Sequence, residues 1–108
     1  MKKTVRGMAL GNSKKRGAYR DRRRAQLDEW SAKLDLWQAR ARKTKADVKI
    51  RYHEGLEELQ DALETMRRRV GELETAGEDT WYDLKDGVDD AATEAKRVMR
   101  RISRRLDR

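Results

Sequence analysis

The feature that most constrains this chain is a seam of apolar residues spaced alternately by three and four, running through a stretch without proline. Leu27, Trp30, Leu34, Trp37, Ala41, Thr44 and Val48 form its first run. Leu56, Leu59, Leu63, Met66, Val70 and Leu73 form its second. Such spacing places one apolar stripe along an α-helix and is the a/d pattern of a coiled coil. Between the runs, Val48, Tyr52 and Leu56 step by four and four, a stutter that relaxes supercoiling without ending a helix. The spacing therefore predicts one long helix over residues 18–76.

Gly77 supplies a stop, because glycine suits the left-handed position that closes many helices. Asp79 or Thr80 can cap the next helix. Trp81, Leu84, Val88, Ala91, Ala95, Val98 (or Met99), Ile102 and Leu106 then carry the seam through a second helix over about 80–105. A short connection makes the two antiparallel. The expected fold is all-α: a long helix and a shorter antiparallel one over 18–108, preceded by a flexible basic arm over 1–17.

In that hairpin the second helix reaches back only to about residue 50. Leu27, Trp30, Leu34, Trp37 and Ala41 are left without a partner in their own chain. Two tryptophans are costly to leave in water, so these five residues are the expected interface with a second copy, a dimer being the expected state. The bland alternative is an exposed, mobile arm.

Composition separates a folded helix from disorder only with this periodicity in hand. Of the 108 residues, 44% are charged and 36% hydrophobic, and proline, phenylalanine and cysteine are absent. High charge with little apolar content also describes disordered chains, but those lack a seam. The missing cysteines exclude disulfides and thiolate metal sites. No run is long enough to cross a membrane. The opening MKKTVRGMALGNS is basic, but its apolar stretch is too short for a secretory signal, so a cytoplasmic protein is expected.

Nothing in the residues assembles a catalytic set. Gly7 to Lys14 has the flavour of a phosphate loop without its spacing or its flanking strand. Glu54, Glu57, Glu58, Asp61 and Glu64 flank the seam, as a solvated face does. His53 has no Glu three residues before it, as a di-metal bundle would require. No enzyme activity, metal or cofactor is expected.

Charge is distributed in blocks: +9 over residues 1–26, +3 over 27–53, −10 over 54–94 and +6 over 95–108. Lys14, Lys15, Arg16, Arg20, Arg22, Arg23 and Arg24 make one cationic cluster. Arg100, Arg101, Arg104 and Arg105, with Arg97 and Arg108, make another. Such clusters solubilise a chain or neutralise phosphates on nucleic acid, although no base-reading motif or aromatic stacking platform accompanies them. An acidic protein is a further candidate partner. An anionic membrane surface ranks lower, since the apolar face of the second helix is expected to be occupied by the first.

Residues 26–60, QLDEWSAKLDLWQARARKTKADVKIRYHEGLEELQ, and 76–96, AGEDTWYDLKDGVDDAATEAK, carry spaced tryptophans and a Gly-Glu-Asp-x-Trp turn. Over about 25–96 the chain resembles the small bacterial coiled-coil stress-response proteins of the cyanobacterial type. The resemblance implies a helical hairpin without catalytic residues, and the basic ends at 1–24 and 97–108 depart from it. The expectation is a structural or adaptor protein whose basic ends bind a polyanion, nucleic acid being the first guess. The alternative is a subunit that docks its tryptophan-bearing helix into a larger protein complex.

Overall fold

A computed structural model describes the backbone of residues 2–106 and the side chains of residues 14–105. The described residues form three helices: α1 (Lys2–Arg42), α2 (Ala46–Glu74) and α3 (Glu78–Leu106). The all-helical class agrees with the periodicity. The single helix expected over 18–76 does not form, because the chain reverses at residues 43–45.

The reversal uses neither proline nor glycine. Arg40 and Arg42 stand in the last turn of α1, where cations complement the helix dipole. Lys43 and Thr44 then donate backbone hydrogen bonds to Arg40 and Ala41 in a tightened last turn. The Thr44 hydroxyl donates to the Ala41 carbonyl at 2.7 Å and also reaches Arg40 at 3.2 Å. A threonine that satisfies helix-end carbonyls in this way competes with continuing the helix. Lys45 is extended (φ −62°, ψ 151°), and α2 starts with Asp47 in its first turn. The four-four step at Val48, Tyr52 and Leu56 is thus the phase slip left by a reversal.

The second turn departs from expectation in detail. No glycine among the described residues has positive φ, so Gly77 does not use the left-handed conformation. Its carbonyl instead accepts the first bonds of α3, from Thr80 and Trp81. Glu78 and Asp79 occupy the first turn of α3, so neither Asp79 nor Thr80 is the cap.

Pairings across the helices fix the topology. Arg24 meets Glu74, and Arg67 donates to Ser31 at 3.2 Å, so α1 runs antiparallel to α2. Arg69 donates to the Gly87 carbonyl at 2.7 Å, and Arg101 meets Glu58, so α3 is also antiparallel to α2. Tyr19 bonds to Asp89, which leaves α1 and α3 parallel. The result is a rod of 67 × 19 × 18 Å.

Almost every seam residue within the helices faces the common core. Leu59, Met66, Val88 and Ala95 are fully enclosed, and Val70 and Val98 nearly so. Thr44 and Val48, seam members only if the helix had continued, are exposed. Trp30 and Trp37 retain 7% and 6% of their surface, with Leu27, Leu34 and Ala41 similarly buried. The premise that these five residues lack a partner in their own chain is therefore corrected, since α1 folds back and buries them. At ~25 cal/mol per Å² of apolar surface, closing the bundle over two tryptophans favours the reversal by several kcal/mol.

A candidate polyanion-binding pole

Because α1 and α3 are parallel, the two cationic clusters named by the sequence lie at opposite poles of the rod. Their surroundings differ. At the pole marked by the α2–α3 turn, the cluster of α1 lies along the acidic start of α3. Arg16 pairs with Glu78 at 3.5 Å and Arg24 with Glu74. Arg20 pairs with its neighbour Asp21 at 3.3 Å. Arg22 lies over the Tyr19 ring at 5.8 Å, and Lys14 and Lys15 are exposed. Of the flexible arm expected over 1–17, residues 2–17 belong by backbone to α1, and the side chains before Lys14 lie outside the described residues.

Arg23 joins a compact network around Tyr19. The buried Tyr19 hydroxyl donates to Asp89 Oδ1 and accepts from Arg23 Nε at 3.2 Å. Arg23 Nη2 and Lys85 Nζ each reach Asp89 at 2.8 Å. Trp81 packs edge-on against the Tyr19 ring, the centroids 5.8 Å apart. Burial pushes the Tyr19 hydroxyl up to about 12, and its bond to Asp89 adds to the rise against the opposing Arg23 charge. Burial also disfavours the charged Asp89, but hydrogen bonds from Lys85, Tyr19 and Arg23 outweigh it and hold the carboxyl at about 2. This network ties α1 to α3. Sequence reasoning missed Tyr19 because it sits eight residues before Leu27, outside the heptad seam.

The other pole collects cations from two segments far apart in the chain. Arg100, Arg101, Arg104 and Arg105 end α3. Beside them stands the α1–α2 turn with Arg40, Arg42, Lys43, Lys45, Lys49 and Arg51, all exposed. Val48 and Arg51 of α2 line one open mouth of about 670 Å³ together with Arg101 and Arg105 of α3. Tyr52, Val98 and Ile102 form its apolar floor. Residues 40–51 hold six Lys/Arg against Asp47, and residues 97–105 hold five Arg and no acid. Arg101 pairs with Glu58, and Arg97 pairs with Glu94 beside it. Among the described residues, no ion pair joins an acid to Arg40, Arg42, Lys43, Lys45, Lys49, Arg51, Arg100, Arg104 or Arg105.

The structure therefore places Arg100, Arg101, Arg104 and Arg105 together, keeps Lys14–Arg24 apart from them, and adds six cations that the seam alone would leave in mid-helix. His53 is exposed and paired with Glu57 at 3.0 Å. Among the described residues no group of His, Cys, Asp or Glu is placed to hold a metal ion, and no helix is long and apolar enough to cross a membrane. Comparison with protein-family models, curated proteins and solved structures found no match to this chain.

Proposed function

We propose that this is a non-enzymatic structural or adaptor protein of the cytoplasm that works by binding a polyanion through its basic pole. One observation carries the reading: two sequence-distant cationic segments converge on one end of the rod without acids to neutralise most of them. Crowded cations raise the local potential and draw anions to that end. Phosphates that replace the counter-ions of such a patch give binding that weakens with salt. The cluster at Lys14–Arg24 contributes less, because Arg16, Arg23 and Arg24 are held on acids of α2 and α3.

The reading in which Trp30 and Trp37 anchor the chain to a second copy or a larger complex has lost its support, since both rings lie in the chain's own core. The resemblance to stress-response coiled coils supplies a helical, non-catalytic scaffold and no binding chemistry.

The test is a salt titration with duplex DNA as a generic polyanion. Log affinity should fall against log salt with a slope of about −0.9 per phosphate contact. Replacing Arg100, Arg104 and Arg105 by Gln should flatten that slope, whereas replacing Arg16 and Arg24, which are already held on acids, should change it little. Affinity unchanged by the first replacement would remove the basic pole as the site.

A further inference from the structure

The basic pole also carries aliphatic side chains that phosphate binding alone does not use. Of the large apolar residues left exposed among the described residues, Val48 (41%) and Ile50 (68%) sit at this pole and Tyr82 at the other, while Leu36 (50%) lies on the flank of the rod. The pairings of Arg24 with Glu74 and of Ser31 with Arg67 set Leu36 level with the middle of α2, well back from the tip. Val48 and Ile50 lie two and four residues into α2, roughly 3 and 6 Å from its start. Ile50 faces outward, and Val48 opens into the mouth between α2 and α3. Two exposed aliphatics therefore stand close to the tip, among Lys43, Lys45, Lys49 and Arg51.

We propose, resting on the polyanion reading above, that the polyanion is an anionic lipid surface, on which the rod docks end-on with Val48 and Ile50 entering the interface. Two requirements of such a surface are met at once. Cations concentrate against its negative potential, and apolar groups lie within the 5–10 Å to which interfacial elements enter the boundary between headgroups and chains. A nucleic-acid backbone would satisfy the cations and leave the aliphatics in water. The acids nearby, Asp47, Glu54 and Glu58, are outnumbered at this pole by the cations of the turn and of the end of α3, and Glu58 is already paired with Arg101. The apolar face of α3 is not the docking element, because Val98, Met99 and Ile102 are buried in the bundle. The tip takes that role.

Co-sedimentation of the full chain with phosphatidylcholine vesicles, with and without phosphatidylserine, tests the proposal, with duplex DNA as a parallel arm at the same salt. Binding is expected only when phosphatidylserine is present. The Val48→Ser, Ile50→Ser double variant should lose about tenfold in vesicle affinity while its DNA binding and circular dichroism stay unchanged. Arg100→Gln with Arg104→Gln and Arg105→Gln should weaken both arms. Two results would overturn the lipid assignment and leave the polyanion reading standing: DNA binding without vesicle binding, or wild-type vesicle affinity in the double serine variant. Binding to neither partner would end both.

Discussion

The two poles of the rod begin from the same material, a dense run of Arg and Lys, and arrive at different states. At the pole of the α2–α3 turn, the topology sets the cations of α1 against an acidic helix start, and the charges are spent on holding the bundle together. At the opposite pole, the end of α3 meets another basic segment. Charge in the sequence is thus a poor guide to charge available for binding. What decides is which segment the fold places opposite. Paired charges on the surface contribute about 0–1 kcal/mol each, so the first pole gains little stability per pair, but Arg16, Arg23 and Arg24 are occupied.

The largest effect that tests this contrast comes from the seam that holds α1 in place. Trp30→Ala or Trp37→Ala should cost about 3–5 kcal/mol, as large aromatic truncations in cores do. The loss, read from urea unfolding, should be independent of protein concentration. A loss that grew on dilution would mean that another chain covers these rings. Partial release of α1 should also free Arg16, Arg23 and Arg24, so any surviving folded variant should bind polyanion more tightly through the formerly paired pole.

A smaller effect is expected from pH, and it belongs to the paired pole. Asp89 is held at about 2 in the fold, below the ordinary value near 3.9 of the unfolded chain. Its contribution is therefore complete above about pH 4 and is lost as pH falls from there through 2. Tyr19 is raised to about 12, so its contribution is complete below about pH 10 and is lost as pH rises from 10 to 12. Asp89 is about one-third exposed (34%), and with solvent screening its share is about 1 kcal/mol. Asp89→Asn should remove that much at pH 7 and flatten the stability curve between pH 4 and 2. An unchanged acid limb would mean that the Tyr19 network does not tie α1 to α3.

Much of the fold is legible in the residues alone. The register of the seam is right from Leu27 to Ala41 and from Leu56 to Ile102, because three-four spacing reports which face is buried whatever covers it. What covers it is a different question, and it turns on residues 43–45. Helix ends announce themselves through proline and glycine, and Lys43, Thr44 and Lys45 are neither. Only the Thr44 hydroxyl, the cations before it and Asp47 after it mark the place. The site follows the same rule. Arg100, Arg101, Arg104 and Arg105 are visible as a cluster, and the expected hairpin already brings their end to Lys49 and Arg51. Arg40 and Arg42 come back alongside only because the chain reverses at residues 43–45.

That reversal gives the next prediction. Thr44→Ala removes the hydroxyl bonds to Ala41 and Arg40 and improves helix propensity at the same position. It should destabilise the bundle by about 1 kcal/mol. It should also raise the share of a continuous-helix form in which α1 packs on a second copy, the exchange expected of hinge variants. Size-exclusion chromatography at rising concentration would show a growing dimer. A purely monomeric variant of unchanged stability would mean that the apolar seam alone sets the turn.

The smallest effects compare the two halves of α2 through their glycines. A Cβ at Gly71, toward the paired pole, would meet nothing within 4 Å, whereas a Cβ at Gly55, toward the basic pole, would stand 3.2 Å from Ile102 Cγ1. Both sit inside a helix, where glycine is less favourable than alanine by roughly 0.5–1 kcal/mol. Gly71→Ala should therefore stabilise by about that amount. Gly55→Ala has the same propensity gain, but Ile102 is buried against α2 and must move by a few tenths of an ångström, which offsets most of it. Thermal unfolding of the two variants should separate them, with Gly71→Ala above wild type and Gly55→Ala close to it. Equal gains would show that α3 yields easily at its C-terminal end, and the mouth beside Arg101 and Arg105 would then be soft enough to reshape around a ligand.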